Sequence, residues 1–344
     1  MEDEFLQAEP ITADASGWRI EASYDAFNKT LDIFNLRDHK DTAERTGDYS
    51  GGRLAIGYKI SPAWSVQATY WRRNLKFQKD TDNINSWQLA VHYGILVAPE
   101  GERKLTLKLS AWGDYASSLA SSTTTRINGT SFSNVSIAHA NDVQAQADLI
   151  YSGRLWEHNL LSGFITGGFS RVTTGDFQGT YQQGSCRFNV QAESNNMATA
   201  TLVNPCQIGR ATVRNLQLSA NASQYGLDVD HDFHYTAPFL ALGGSWRWEY
   251  KHFGVMAGYQ FQYLFRNGID DRLASHGVPQ VRFNQTVGLE LSYAPVKHCE
   301  VFLRAQGFQN SFVGYVPLLY NAATTSRLDK FYGLASVGVR VFGF

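Results

Sequence analysis

The sequence predicts an all-β chain that closes as an antiparallel transmembrane β-barrel of about 12 strands, with short periplasmic turns and long extracellular loops. Three observations carry this expectation. Segment after segment alternates apolar and polar residues with period two, the connections alternate between short and long, and aromatic residues gather near the short connections. The bulk composition alone looks like that of a soluble protein: 344 residues, 43% hydrophobic, 18% charged, mean hydropathy -0.29. Period-two patterning explains that value, because only every second strand residue would meet lipid. No stretch approaches the ~18 uninterrupted apolar residues of a membrane-spanning helix. Lys and Arg number 30 against 31 Asp and Glu, so no net field favours nucleic acid. An aromatic content of 13% excludes a disordered chain.

Taken in order, the alternating segments run over residues 17–35, 48–61, 64–77, 86–98, 103–116, 141–153, 158–172, 226–250, 253–267, 280–294, 299–310 and 327–344. In the second, Leu54, Ile56, Tyr58 and Ile60 alternate with Arg53, Ala55, Gly57 and Lys59. In the fifth, Leu105, Leu107, Leu109 and Ala111 alternate with Thr106, Lys108, Ser110 and Trp112. Most segments reach or exceed the roughly 9–11 residues that a tilted membrane strand needs, well above the 5–6 of an average soluble strand. The short connections read SPAW, APEGE, GRLWE, YKHF and APVKH; the longer, polar ones are 36–47, 78–85, 117–140, 173–225, 268–279 and 311–326. A soluble sandwich has no reason to sort its loops by parity. Trp64, Tyr93, Tyr151, Trp156, Trp246, Trp248, Tyr250, Phe253 and Tyr293 lie near the short turns, where an interfacial girdle belongs. Hydrocarbon cannot satisfy a free strand edge, so the first and last segments are expected to pair.

Residues 1–16 are assigned to an N-terminal periplasmic segment and 17–344 to the barrel. The start, Met1-Glu2-Asp3-Glu4, has no apolar run and is not a signal peptide. It fits either an intracellular chain or a mature chain with an added Met, and the cysteines favour the second. Cys186 and Cys206 bracket a polar stretch where a disulfide would stabilise a long loop by about 3 kcal/mol and would require an oxidising compartment. Two free thiols are the alternative; the spacing does not suit zinc. Cys299 is left over in a short turn as a free thiol.

The last strand, with Val337, Val339, Val341 and the terminal Phe344, resembles the C-terminal signal of Gram-negative outer-membrane barrels. It departs from that pattern in one respect: Phe344 stands one residue out of phase with the Val stripe, with Phe342 as its in-phase aromatic partner. Three hairpins, GGRLAIGYKISPAWSVQATYWR (51–72), FLALGGSWRWEYKHFGVMAGYQFQYLF (239–265) and the closing YGLASVGVRVFGF, resemble the Legionella-type major outer-membrane protein family of pore-forming proteins. The resemblance implies a porin-like channel in a bacterial outer membrane, with surface loops that meet other cells. It transfers no functional residues.

The strand face opposite the apolar stripe carries Arg19, Arg53, Lys59, Arg73, Lys108, Arg247, Arg304 and Arg340 against Glu21, Asp25, Asp114, Asp148, Glu249, Glu290 and Glu300. A dedicated ion channel would show one sign. Two readings stand: ion pairs that cross-link the interior, or a narrow water path lined chiefly by Arg53, Arg73, Lys108, Asp148, Arg247, Glu290, Arg304 and Arg340. Twelve strands lie between the eight that side chains fill and the 16–18 of wide porins, so modest conductance or occlusion is expected. Trp71, Trp112, Phe302, Phe308 and Tyr332 also face inward, where they narrow the lumen or stack on sugar or nucleoside rings.

Loop 173–225 is long enough to be a constriction or an external cap. Loop 117–140 is Ser/Thr-rich and polar. In LDVDHDFHY, Asp228, Asp230, Asp232 and His234 fall on one strand face, with His231 opposite and outside the barrel. Three readings apply there: a solvated strand extension, a Ca²⁺ site of Asp228, Asp230 and Asp232, or a hydrolytic centre. The function expected from the sequence is a porin-like channel for small polar solutes with a mixed-charge lumen. A structural or adhesive barrel with a blocked lumen is the alternative, and a barrel hydrolase the second. No cofactor and no nucleic acid are expected. Outer-membrane lipid, lipopolysaccharide and small polar solutes are the expected partners, together with a second copy or another surface protein.

Overall fold

A computed structural model describes residues 17–27, 48–77, 80–97, 103–122, 124–311, 314–325 and 331–343. The N-terminal segment 1–16 and the terminal Phe344 lie outside the described residues. In chain order the strands are β1 (Gly17–Phe27), β2 (Asp48–Lys59), β3 (Trp64–Phe77), β4 (Asp80–Val97), β5 (Arg103–Ser121), β6 (Thr125–Ile127), β7 (Thr130–Trp156) and β8 (Asn159–Thr173). There follow β9 (Phe177–Gln183), β10 (Cys186–Ala192), β11 (Met197–Leu202), β12 (Cys206–Ile208), β13 (Ala211–Val213) and β14 (Gln217–Asn221). The last five are β15 (Tyr235–Tyr250), β16 (Phe253–Leu264), β17 (Phe283–Val296), β18 (Cys299–Gln309) and β19 (Phe331–Phe342). Two short helices, α1 (Val229–Phe233) and α2 (Ile269–Ser275), lie between them. Among the described residues no helix is long and apolar enough to cross a membrane.

Twelve strands form one closed antiparallel circuit: β1, β2, β3, β4, β5, β7, β8, β15, β16, β17, β18 and β19. The last pairs with the first from Arg19 opposite Phe342 to Ala26 opposite Ala335, so no edge is left open. Period two decides the faces. On β8, Ile165 is 66% exposed on the outside while its neighbour Thr166 is 0% exposed within. The same alternation places Leu109, Leu149, Leu242, Leu303 and Val337 outside. Aromatic pairs mark the short-turn end, with ring centroids 4.6 Å apart for Trp64 and Tyr93 and 5.1 Å for Phe253 and Tyr293. A second exposed set, Tyr24, Tyr70, Trp87, Tyr115 and Phe169, marks the other end. On β7, ten residue steps separate Tyr151 from Asn141, which lies opposite Tyr115. At about 3.3 Å per step and a tilt near 40°, that gives an apolar band roughly 25 Å tall, the height of a barrel's lipid-facing belt.

Several connections differ from the sequence expectation. The stretch 78–85 is mostly strand, because β4 begins at Asp80. Loop 117–140 is largely β-structure: β5 runs on to Ser121, and β6 turns into β7 through Asn128 and Gly129, both at positive φ. Asn-Gly is the dipeptide that a tight hairpin selects. Loop 173–225 holds β9 to β14, and β9 pairs with β7 so that the sheet continues above the barrel. Its outer end is fastened by the Cys186–Cys206 disulfide.

The region 228–234 is not a strand extension. β15 begins at Tyr235, and α1 precedes it with Asp228 as its N-cap, accepting from the His231 backbone N–H. Capping by Asp outweighs the apparent alternation of the pattern. Accordingly His231 turns back on Asp228, 3.0 Å away, rather than facing outward from a strand.

Candidate functional site

The inward faces of the twelve strands define the site, and most of their large side chains are buried against one another. Near the short-turn end β1, β17, β18 and β19 bring their charges together. Arg340 reaches Glu21 at 2.6 Å, both oxygens of Glu290 at 2.8 Å and Glu300 at 3.1 Å. Arg304 donates to Glu290 at 2.8 Å and lies 3.5 Å from Glu21. Arg53 stands 3.9 Å from Glu21. Register explains the convergence, since Arg340 lies directly opposite both Glu300 and Glu21, and Glu290 opposite Arg304. The Phe302 ring stacks beneath both guanidinium groups, 4.4 Å from Arg340 and 4.9 Å from Arg304. That ring fits because its neighbour on β19 is Gly338: a Cβ there would come within 2.3 Å of it. Arg340 and Glu290 are each 2% exposed.

Higher up, Arg73 is 1% exposed, pairs with Asp114 at 3.0 Å and stacks 3.7 Å over Trp71. Ser86 bridges Arg73 and Asp114. Lys108 and Asp148 are opposite one another and buried, and Asp148 accepts from Thr166 at 2.5 Å and Gln146 at 3.0 Å. Arg247 stays near the short-turn rim, beside Glu249. All eight sequence-selected side chains thus lie on the inward face, held in pairs and clusters. The inward aromatics divide likewise: Trp71, Phe308 and Tyr332 pack with Tyr49 and Leu334, while Trp112 packs with Phe239, Leu264 and Tyr315.

Tyr315 comes from outside the strands. Residues 314–325, expected to be a polar loop, carry the apolar run Tyr315-Val316-Pro317-Leu318, and this run enters the barrel. The Leu318 N–H donates to the Asp142 carboxylate at 3.2 Å, Tyr235 Oη donates to the Pro317 carbonyl at 2.6 Å, and Tyr315 Oη sits 3.4 Å from Ser170 Oγ. Asp142, Tyr235 and Ser170 all project inward, so 314–325 is a plug. Leu318 is 0% exposed and belongs to the largest apolar cluster, together with Ile269 and Leu273 of α2 and Phe233 of α1. The sequence holds one clue to the plug, a Pro-centred apolar run in a stretch otherwise rich in Asn, Ser and Thr.

Helix α1 ties the mouth together. Asp232, fully buried, accepts from Asn128 at 2.9 Å and from Arg272 of α2 at 2.9 Å, while its backbone carbonyl accepts from Ala322 of the plug at 3.0 Å. Asp228 accepts from Asn196 of the β10–β11 turn at 2.8 Å. Burial pushes the Asp228 carboxyl up, but its bonds to His231 and Asn196 outweigh this and hold it below its ordinary value. The Asp228 bond raises His231. The three aspartates therefore point to different partners rather than at one centre, and among the described residues no group of three or more His, Cys, Asp or Glu is placed to hold a metal.

Asp230, His234 and Thr174 do fall in the order of a carboxylate, an imidazole and a hydroxyl, at 3.1 Å and 3.0 Å. The same imidazole nitrogen, however, lies 2.9 Å from the Thr174 carbonyl. A carbonyl only accepts, so this nitrogen donates and is not oriented to take the hydroxyl proton.

No protein-family model matches the chain, and no curated relative does. Among solved structures, the NanC porin aligns at 9% identity over 94% of this chain and 98% of its own, with a TM-score of 0.42. The translocator domain of the autotransporter NalP from Neisseria meningitidis aligns at 10% identity over 98% and 92%, with a TM-score of 0.46. The COG4313 outer membrane channel from Pseudomonas putida F1 aligns at 7% identity over 97% and 98%, with a TM-score of 0.43. At this distance they leave function to the chain's own residues.

Proposed function

We propose that this protein is an outer-membrane channel of porin type for small polar solutes, closed at rest, in keeping with the family resemblance in its hairpins. One observation carries the reading: the lumen is stopped at its upper end by a loop segment docked on a polar wall, with no strand ladder holding it. Residues 314–325 lie against two hydroxyls and a carboxylate of the strands, those of Ser170, Tyr235 and Asp142. A barrel built only as a scaffold gains nothing from a polar wall beneath an apolar plug, whereas a water path requires one. The mixed charges belong to this proposal as the lining of the path once the plug has moved.

Planar-bilayer recording of the refolded protein tests it. The intact chain is expected to show rare, small steps, and deletion of 315–320 to raise the open fraction at least tenfold. Heat-modifiable migration on gels reports that the deleted chain still folds. Folded protein without steps in either form would sink the channel. The reading left standing would then be a sealed structural or adhesive barrel, which the ion lattice around Arg340 specifically favours.

A further inference from the structure

The plug covers a stretch of wall whose chemistry points to a ligand. Between the charged level of Arg73, Asp114 and Asp142 and the charged level of Lys108 and Asp148, the β5–β7 wall carries only uncharged inward groups. Trp112 lies opposite Gln144 and Ser110 opposite Gln146, and Ser170 of β8 flanks Gln144. Three of these side chains are more than nine-tenths buried and keep a polar atom without a partner: Trp112 Nε1, Ser110 Oγ and Gln144 Oε1. A buried donor or acceptor left unmet is destabilising, so three on one pair of strands call for an explanation.

The plug itself indicates what fits. Tyr315 places a six-membered ring in the cluster of Trp112, Phe239 and Leu264, with its centroid 6.0 Å from that of Phe239. Its hydroxyl lies 3.4 Å from Ser170 Oγ. One ring with one hydroxyl thus occupies the place and leaves the three polar atoms unanswered. A ring bearing several hydroxyls would stack on the same aromatic surface and answer them. Asp114 and Asp142 face each other at the upper level, with Arg73 paired to Asp114, and Lys108 faces Asp148 at the lower one, so an anionic ligand gains nothing there.

We propose that Trp112, Ser110, Gln144, Ser170 and Phe239 form a binding subsite for a neutral sugar ring, which Tyr315 occupies in the closed state. This rests on the channel reading for how the sugar arrives, but binding is measurable without transport. The full-length protein in detergent would be titrated calorimetrically with maltose, with the sodium salt of glucuronic acid as the charged control. Maltose is expected to bind and glucuronate at least tenfold more weakly. Tyr315→Ala removes the competitor and should tighten maltose about tenfold. Trp112→Ala should abolish measurable binding. Ser110→Ala, which changes no packing volume of note, should weaken it about fivefold.

Absence of maltose binding in both the wild type and Tyr315→Ala overturns the subsite, as does binding that Trp112→Ala and Ser110→Ala leave unchanged. Equal binding of glucuronate overturns its neutrality. The two proposals fail separately: conductance without maltose binding sinks the sugar alone, and maltose binding without conductance sinks the channel alone.

Discussion

The two ends of the lumen are both filled, but by different means. At the short-turn end the filling belongs to the wall: Glu21, Glu290, Glu300, Arg304 and Arg340 are strand residues, and none can leave without the ladder that carries it. At the loop end the filling is a visitor, residues 314–325, held by the Asp142, Tyr235 and Ser170 contacts and by apolar packing under α1 and α2. Filling by the wall contributes to barrel stability, whereas filling by a loop segment makes a position that can be exchanged. Separate readouts for the two ends follow, one in unfolding and one in gating.

The largest effect belongs to the wall. Arg340→Ala leaves Glu21 and Glu290 sharing Arg304 and takes the guanidinium from Glu300, with little solvent to screen the three carboxylates. Removing one side of a buried ionic cluster costs about 3–5 kcal/mol. A lowered urea midpoint for the refolded barrel is therefore expected, with the plug's gating behaviour unchanged at neutral pH. A midpoint within error of the wild type would mean that the lattice is not a structural member, and the contrast between the two ends would collapse.

A smaller effect belongs to the plug. Tyr235→Phe deletes the hydroxyl that donates to the Pro317 carbonyl and little else. A neutral hydrogen bond is worth about 1 kcal/mol, which corresponds to about a fivefold rise in the open fraction seen in bilayers. The urea midpoint should not move. If this variant lowers the midpoint and leaves the open fraction alone, the plug is part of the wall after all.

How much of this could be read beforehand depends on what the sequence encodes locally. Period two assigns a face to each strand residue, so the inward placement of Arg340, Trp112 and Asp148 was legible, as was the pairing of the first and last strands. Which inward charge meets which is set by register, and register follows from turns and closure rather than from the pattern. Hence a water path lined by Glu290 and Arg304 and a cross-link between them looked alike. The plug was hidden for a different reason: Tyr315 to Leu318 has neither period two nor a helical period, and apolar residues in a loop carry no address for the wall they will meet. At 228–234 a local signal existed and was outweighed. Asp alternating with Leu, Val, His and Phe imitates a strand, while Asp228 capping the His231 amide is the interaction that decides.

The smallest effect concerns how α1 holds the outer loops over the plug. Asp228 faces His231 and Asn196, and Asp230, Asp232, His234 and Arg272 stand around it on α1 and α2. His231 is raised above 6.5 by its bond to Asp228, so its contribution is full below pH 6.5 and is lost as pH rises through the shifted value. Asp228 is held below 3.8, so its contribution is present above pH 3.8 and is lost only as pH falls through the lower value. The β10–β11 turn at Asn196 should therefore be best anchored between these limits and looser at pH 8.5 than at pH 5.5. Amide hydrogen exchange over 193–197, corrected for the intrinsic pH dependence of exchange, reads this directly. Because His231 is well exposed, solvent screens much of the pair and the change is modest. Asp228→Asn should erase the difference while leaving the barrel's exchange pattern intact. The same pH dependence surviving in that variant would show that another titrating group holds the turn, and α1 would then be a spacer above the plug rather than its clasp.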